Sequence, residues 1–576
     1  MKNADVCAIF RGMAEIMEIL GEDAFRIRAY QRAAQSVESL SEDIEKIAAR
    51  GELTRIPGIG KELARKIEEI LATGTLQKYE ELKKKVPSGL LELLKVPGIG
   101  PKTARLLSLE MGIKSIDVLE RMALEGRLKE IPGIKAKTEQ NILRGIALLR
   151  SARERRPLGI VLPFARLLVE VLEDQAPVQR ASIAGSLRRG SETIGDIDIL
   201  ASSDEPDKVM DLFLGLPPVA EVVARGSTKA SVRTRDGLQV DLRVVPDKSF
   251  GAALCYFTGS KAHNVRLREL GVRLGLKINE YGVFRGRKRV AGATEEEVFA
   301  AVGLPFIPPE MREDRGEIEA GLAGSLPRIV ELEEIKGDLH VHSKYSDGSA
   351  SLGEIAEKAK QMGHRWAAVC DHSQSLKVAG GLDLQTLERK RAAVEAFNAR
   401  SGDLKLLCGA EVEIGMDGRL DYPDEVLASL DFVIAAIHTG FRQSEDIQTL
   451  RLLGAMRNPY VHAIAHPTGR LIGERGGYGV DLAAVFNTAA ETATFLEINA
   501  YYKRLDLNDH LCRSAAEKGV RFSIGSDAHL LDQMDFIPLG VGVARRGWLG
   551  PEQVINTLGY GELLEALREK RRLFTR

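Results

Sequence analysis

Seven short apolar runs punctuate the last 240 residues, and six of them carry histidine or carboxylate at or near their ends. DLHVH places His340 and His342 two residues apart, and WAAVCDH stops at Asp371-His372. LKLLCGAEVEI contains Glu411 and Glu413, DFVIAAIH stops at His438, VHAIAHP supplies His466, and RFSIGSDAH supplies Asp527 and His529; TFLEINA is the seventh run. Helical stretches such as LGEIAEKAKQM (352–362) lie between them. Such alternation implies parallel strands joined by crossover helices. A closed barrel of these units gathers its strand C-termini on one face, so the polar residues meet there. A lone buried histidine is ordinarily a core residue, but a desolvation cost repeated at so many strand ends is not explained by packing. His and Asp/Glu donors without Cys suit Zn²⁺, Mn²⁺ or Fe²⁺ rather than Ca²⁺. His364, His462 and His510 fall outside the pattern and read as helix or packing residues.

Composition sets the outer bounds. A chain of 576 residues suggests three or more domains, and 44% apolar with 28% charged residues is ordinary for a soluble globular protein. No apolar run approaches the ~18 residues of a membrane span, and MKNADVCAIFRG lacks the apolar core of a signal peptide. Cys7, Cys255, Cys370, Cys408 and Cys512 form no CxxC pair, so a reduced cytoplasm is expected, with neither disulfides nor thiolate zinc. The balance of 81 basic against 82 acidic residues hides an asymmetry. Residues 1–150 carry 26 basic and 22 acidic side chains, residues 261–290 carry nine against two, and nine of the ten histidines follow residue 337. A separate C-terminal metal domain is therefore expected, beyond a Pro-, Gly- and Glu-rich boundary at 308–336.

The N-terminal third repeats itself. RIPGIGKELARKI (55–67) recurs as KVPGIGPKTARLL (95–107) and, with Lys135 replacing the second glycine, as EIPGIKAKTEQNI (130–142). Each reads as a Pro-Gly-x-Gly turn between short helices, where glycine permits left-handed backbone and close approach of another chain. The following helix presents free N–H groups and a positive dipole end, for which a phosphate oxygen is the natural ligand. These segments resemble helix-hairpin-helix motifs, which grip the DNA backbone without reading sequence. Gly58, Gly60 and Lys61 are the candidate contacts in the first copy, and Gly98, Gly100 and Lys102 in the second.

In the middle third, Gly185-Ser186 ends an apolar run and should turn into a helix whose N–H groups suit a triphosphate. Asp196 and Asp198 are a period-2 pair on the strand IGDIDILAS, so both carboxylates face one side. Asp241, in QVDLR, adds a third from another strand. Three converging carboxylates call for divalent cations, and two Mg²⁺ ions there would serve phosphoryl transfer.

GSLRRGSETIGDIDIL, VDLRVVP and CYFTGSKAHNVRLRELGVRLGLKINEYGVF (255–284) together resemble the palm and thumb of family X DNA polymerases, the polymerase beta group. The resemblance implies that Asp196 and Asp198 bind two Mg²⁺ (or Mn²⁺) ions and that Asp241 binds the catalytic one and accepts the primer 3′-hydroxyl proton. It further implies that Ser186 and Arg189 hold the triphosphate, with Gly185 and Gly195 at the same nucleotide site. Tyr256, Phe257 and Gly259 would lie along the sugar and base, and Asn264 and Arg268 would reach the nascent pair. Ile194 and Gln239 depart from the vertebrate pattern, which has serine and arginine there. FRIRAYQRAAQSV (25–37), with Tyr30, and PGIGKELARKIEEILATGTL (57–76) resemble the family's small DNA-binding domain. Lys66 matches its abasic-site Schiff-base lysine, a role requiring a lowered amine pKa. The C-terminal order HxH…D…H…E…H…H…DxH resembles the polymerase-and-histidinol-phosphatase (PHP) superfamily. That implies a distorted (βα)₇ barrel holding three metals on His340, His342, Asp347, His372, Glu411, His438, His466, Asp527 and His529, with Glu411 bridging two.

The whole is thus read as a multidomain α and α/β protein. Its parts are a small helical DNA-binding domain (1–80), helix-hairpin-helix fingers (81–150), a nucleotidyltransferase palm (151–258), a thumb (259–310), a linker (311–336) and a PHP barrel (337–576). The resemblance implies a monomeric, nucleoid-associated gap-filling polymerase acting on gapped or primed DNA with dNTPs, a barrel that is a 3′→5′ exonuclease, and abasic-site processing. The residues leave a small phosphate compound open as the barrel's substrate.

Overall fold

The structure is a computed structural model that describes residues 2–20, 22–38, 44–56, 58–83, 86, 88–94, 96, 99–131, 134, 138–146 and 155–574. Gly98 and Lys135 lie outside the described residues. The chain divides into two compact units, the first built on residues 1–153 and the second on residues 154–576, two short loop pieces of that range excepted. Among the described residues, no helix is long and apolar enough to cross a membrane.

The first unit is built of helices and turns. α1 (Lys2–Ile19) and α2 (Ala24–Glu38) pack together, Phe10 meeting Tyr30 edge-on at 5.5 Å. α3 (Lys61–Thr73) starts at Gly60 and ends at left-handed Gly74. The three repeats share one turn: Ile59 N–H donates to Ile56 O, Ile99 to Val96, and Ile134 to Ile131, each at 3.0 Å. Ile59, Ile99 and Ile134 are all buried. In the first two copies the second glycine accepts the opening helical bond, Gly60 from Ala64 and Gly100 from Ala104. A Cβ at Gly60 or Gly100 would meet nothing within 4 Å. The repeat therefore anchors itself through isoleucine and leaves Gly60 and Gly100 facing open space.

In the second unit, α4 (Leu158–Gln175) precedes strands β1 (Arg180–Ile183), β2 (Asp196–Ser202), β3 (Val219–Arg225), β4 (Lys229–Thr234) and β5 (Gln239–Val245). They form a sheet of order β1-β2-β5-β4-β3 in which only β2 and β5 run parallel. α5 (Phe250–Thr258), α6 (Lys261–Arg273) and the hairpin strands β6 (Lys277–Asn279), β7 (Gly282–Arg285) and β8 (Lys288–Ala291) follow. The stretch 311–336, expected as a linker, is instead packed against this part. Met311, Ile318 and Ile329 join the apolar core around Val298 and Phe299. Buried Arg312 bonds Glu295 at 2.6 Å, and Glu317 bonds His263 at 2.7 Å. Its glutamate-rich composition suggested exposure because sequence does not reveal that Glu317 finds partners inside.

Seven strands complete the unit: β9 (Gly337–Val341), β10 (Trp366–His372), β11 (Lys405–Glu413), β12 (Phe432–Ala436), β13 (Ala463–Ile464), β14 (Phe495–Asn499) and β15 (Phe522–Gly525). They pair in parallel in chain order. A parallel bridge between Val341 and Ala528 joins the last run to the first, with Asp527 N–H donating to His340 O at 2.8 Å. Every strand residue but Lys405 is buried, which is why these runs read as nearly continuous apolar sequence.

Candidate active sites

The palm's carboxylates are assembled by register. Parallel pairing sets Asp198 on β2 directly beside Asp241 on β5, and Asp196 beside Gln239. Burial, with the negative charges of Asp196 and Asp241, pushes Asp198 up to about 6. Burial also raises Asp241, but bonds from Lys229, Ser231 and Gln239 outweigh it and hold this carboxyl below its ordinary value. Lys229 Nζ stands 2.9 Å from Asp241, and Gln239 Nε2 donates to it at 3.0 Å. Sequence reasoning passed over Lys229; it pairs with Arg243 across β4 and β5, and its side chain reaches Asp241 only on folding. The three carboxylates are an oxygen donor set that fits divalent cations, with Lys229 standing against Asp241 as a counter-charge.

Gly185 adopts φ +61, and a Cβ there would lie 2.2 Å from Asp198 Oδ2. The glycine-serine turn can therefore close over the carboxylates only as glycine. Ser186 lies in the single helical turn Gly185–Arg188, and Gly195 lies at the entry to β2. Arg189 donates Nη1 to Thr258 O at 2.6 Å and Nε to Glu313 at 3.0 Å. Gly259, at φ +72, ends α5 beside it. Tyr256 and Phe257 rings meet edge-on at 5.1 Å, and Arg243 stacks on Phe257 at 4.3 Å. Asn264 and Arg268 are engaged locally, Asn264 Nδ2 donating to Tyr256 O at 2.6 Å and Arg268 Nε to Asn264 O at 3.2 Å.

The barrel's residues converge at its strand ends. Three groups have ligand atoms all within 4.8 Å of one another: His342, Asp347, His372 and His529; His340, His342 and Asp527; and His372, Glu411 and His438. His466 Nε2 stands 2.9 Å from Glu411 Oε1, so all nine expected residues lie in one connected cluster. Buried Glu411 Oε2 accepts no well-formed hydrogen bond, although nitrogens of His372, His340 and His342 stand 2.9, 3.6 and 3.6 Å away. Burial would push Glu411 up, but His438, His372 and His340 hold it well below its ordinary value. Burial disfavours charge on His438, yet Glu411 and Glu413 raise it to about 9. The cluster is thus one in which positive charge must accompany carboxylate. Divalent cations can supply that charge, and imidazole with carboxylate is a fitting donor set for them. His466 (φ +28) and Asp527 (φ +54) take left-handed backbone, which costs roughly 1–3 kcal/mol and concentrates at functional positions.

Two residues behind the cluster, Glu497 and Asn499, escaped sequence reasoning. Glu497 holds His340 Nδ1 at 2.6 Å, and Asn499 donates to Asp527 at 3.0 Å. Glu413 holds His438 Nδ1 at 2.9 Å as an orienting partner. The available signal was the period-2 pair Glu497/Asn499 on the seventh run. His462 accepts from Val433 N–H at 3.0 Å, His364 is buried with its pKa lowered to about 4, and His510 meets Arg315 at 2.7 Å. These three stand outside the metal groups among the described residues.

In the first unit, Lys61 and Lys102 are exposed at the openings of the two hairpin helices, and Gly58 takes φ +82. Lys66 departs from its expectation. Its Nζ bonds Glu62 at 2.5 Å and Tyr30 OH at 2.6 Å. Burial favours the neutral amine, but those two bonds outweigh it and raise the pKa. Glu62, one helical turn back, and Tyr30 decide the sign.

Comparisons with known proteins follow the same divisions. Residues 1–76 match the helix-hairpin-helix domain, 90–147 the SAM-like helix-hairpin-helix tandem, 253–313 the DNA polymerase beta thumb and 338–478 the PHP domain. The chain is 38% identical over 560 residues to the DNA polymerase/3'-5' exonuclease PolX of Bacillus subtilis, covering 96% of this chain and 97% of that one. DNA polymerase lambda of Arabidopsis thaliana is 27% identical over 346 residues, 54% of this chain and 62% of its own. A probable phosphatase of Thermoanaerobacter sp. is 31% identical over 251 residues, 41% of this chain and 95% of its own. Near full-length similarity, with hairpin, thumb and PHP matches in the same order, places this chain in the family of bacterial family X DNA polymerases that carry a C-terminal PHP domain.

Proposed function

We propose that the chain is a gap-filling DNA repair polymerase whose barrel trims 3′ ends as a 3′→5′ exonuclease. The observation that carries this is the presence of two separate cation-type constellations, a carboxylate triad on paired strands and a nine-residue His/carboxylate cluster at a barrel mouth. Asp196, Asp198 and Asp241 would hold two Mg²⁺ (or Mn²⁺) ions; the barrel residues would hold three of Mn²⁺, Zn²⁺ or Fe²⁺. Bound there, such cations neutralise phosphate charge and favour displacement at phosphorus. Asp241 accepts the primer hydroxyl proton once Lys229 moves off it. Ser186 and Arg189 bind the triphosphate, Tyr256 and Phe257 line the sugar, and Asn264 and Arg268 turn to the nascent pair. The hairpin glycines, with Lys61 and Lys102, bind backbone phosphates of gapped or primed DNA. The protein acts as a monomer in the cytoplasm, on the nucleoid. Abasic-site opening would fall to Lys66, whose amine must first be freed from Glu62 and Tyr30, the two groups that raise its pKa.

Primer extension and 3′ trimming by the full chain test the two-site reading. Asp198→Ala should lower extension by about two to three orders of magnitude and leave trimming intact, while His342→Ala does the reverse. Loss of both activities in either variant rejects it. A second reading, that the barrel hydrolyses a small phosphate compound, draws on the probable phosphatase, which matches 41% of this chain over 95% of its own length. Full-length Asp198→Ala offered 3′-labelled DNA and p-nitrophenyl phosphate with Mn²⁺ distinguishes them. Turnover of the small ester alone rejects the exonuclease.

A further inference from the structure

The barrel helix α7 (Ile537–Arg546) ends beside Arg189 and Gly190, which follow the palm turn Gly185–Arg188. Its last residue, Arg546, has a side chain only 9% exposed. Arg546 donates Nη1 both to the Arg189 carbonyl at 2.7 Å and to Glu313 Oε1 at 2.9 Å. That Glu313 oxygen also accepts from Arg189 Nε at 3.0 Å. The other two nitrogens of Arg546 face Asp509 at 3.1 and 3.0 Å. Asp509 is itself fixed by Arg315 at 2.9 Å. A continuous chain of charge-assisted bonds thus runs from the barrel to the guanidinium read as a triphosphate ligand.

The arrangement has an electrostatic consequence. With two arginines sharing one carboxylate oxygen, the negative charge of Glu313 is divided between them, and Arg189 retains positive charge for an incoming anion. The Arg189 carbonyl, at the end of the turn Gly185–Arg188, is also held from the barrel side. Without Arg546, Glu313 would draw on Arg189 alone, and the turn would lose its outer donor. We propose that Arg546, a barrel residue, is a positioning residue for nucleotide binding in the palm, acting through Glu313 and the Arg189 carbonyl. This rests on the reading of Arg189 as a triphosphate ligand. It makes the barrel a structural part of the polymerase site as well as a second enzyme.

The test is single-nucleotide gap filling by the full-length protein, reading dNTP KM and kcat separately, with 3′ trimming and thermal unfolding in parallel. Arg546→Ala should raise dNTP KM about tenfold, on the order of one charge-assisted hydrogen bond, with trimming unchanged. Arg546→Lys, which keeps the charge but cannot reach both acceptors at once, should raise it less and covers the case in which the alanine variant unfolds. The double variant with Arg189→Ala should fall well short of the product of the two single effects, because only the part carried by the Arg189 carbonyl survives. Arg470→Ala breaks another palm–barrel contact, the 2.7 Å pair with Glu192, and should leave dNTP KM unchanged. The proposal is overturned if both Arg546 variants keep normal KM while Arg189→Ala raises it, if the Arg189 and Arg546 effects multiply, or if Arg470→Ala raises KM equally. An unchanged KM in Arg189→Ala removes the triphosphate reading itself, and the relay with it.

Discussion

At Gly185, the absence of a methyl group decides whether the palm's carboxylates can meet the phosphate turn. A Cβ would enter the space held by Asp198 Oδ2, 2.2 Å away, and the φ of +61 would strain any other residue. Gly185→Ala is therefore expected to lower primer extension by about two orders of magnitude, with trimming unchanged, measured on the same preparation. The GS dipeptide was legible in sequence; its contact with Asp198 was not, because it depends on how the turn packs against β2. Lys66 shows the same boundary from the other side. Its place one turn into α3 was readable, but the sign of its pKa shift was not, since that turns on which neighbours lie within hydrogen-bond reach.

At the scale of elements, the barrel strands were read almost run for run, because a strand buried on both faces must be apolar and its end alone carries the chemistry. The final helix, α8 (Tyr560–Leu573), was harder. Its EKRR stretch is strongly charged, yet Lys570 is buried, donating to Met456 O at 2.8 Å and to Thr494 Oγ1. Burial lowers its pKa from 10.5 to about 7. The unfolded chain keeps that proton to about pH 10 and the folded one only to about pH 7, so raising pH between these values favours the folded state. Denaturant unfolding at several pH values should show the parent gaining up to roughly 4 kcal/mol relative to Lys570→Met over this window. The hairpins lie between these cases: their repeat was plain, while the shared isoleucine turn that fixes them became visible only in the fold.

For the whole molecule, the carboxylate and histidine donors of both sites suit divalent cations, whose removal should be felt beyond activity. Chelation is expected to lower the thermal midpoint of the barrel by about 5 °C or more, as loss of ligand held at ~100 times its Kd would. Mn²⁺ should restore it, and His342→Ala should blunt both changes. A midpoint indifferent to chelator would argue that the cluster holds no ion. Sequence alone determined the order of parts, the period-2 carboxylates and the histidines at strand ends, because local pattern and chain alternation dictate those. Only the tertiary structure decided that 311–336 packs rather than links, that Lys229 faces Asp241, and that Arg546 of the barrel bonds the palm's Arg189 and Glu313. Those contacts join residues far apart in the chain, and no local periodicity encodes which buried charges will find each other.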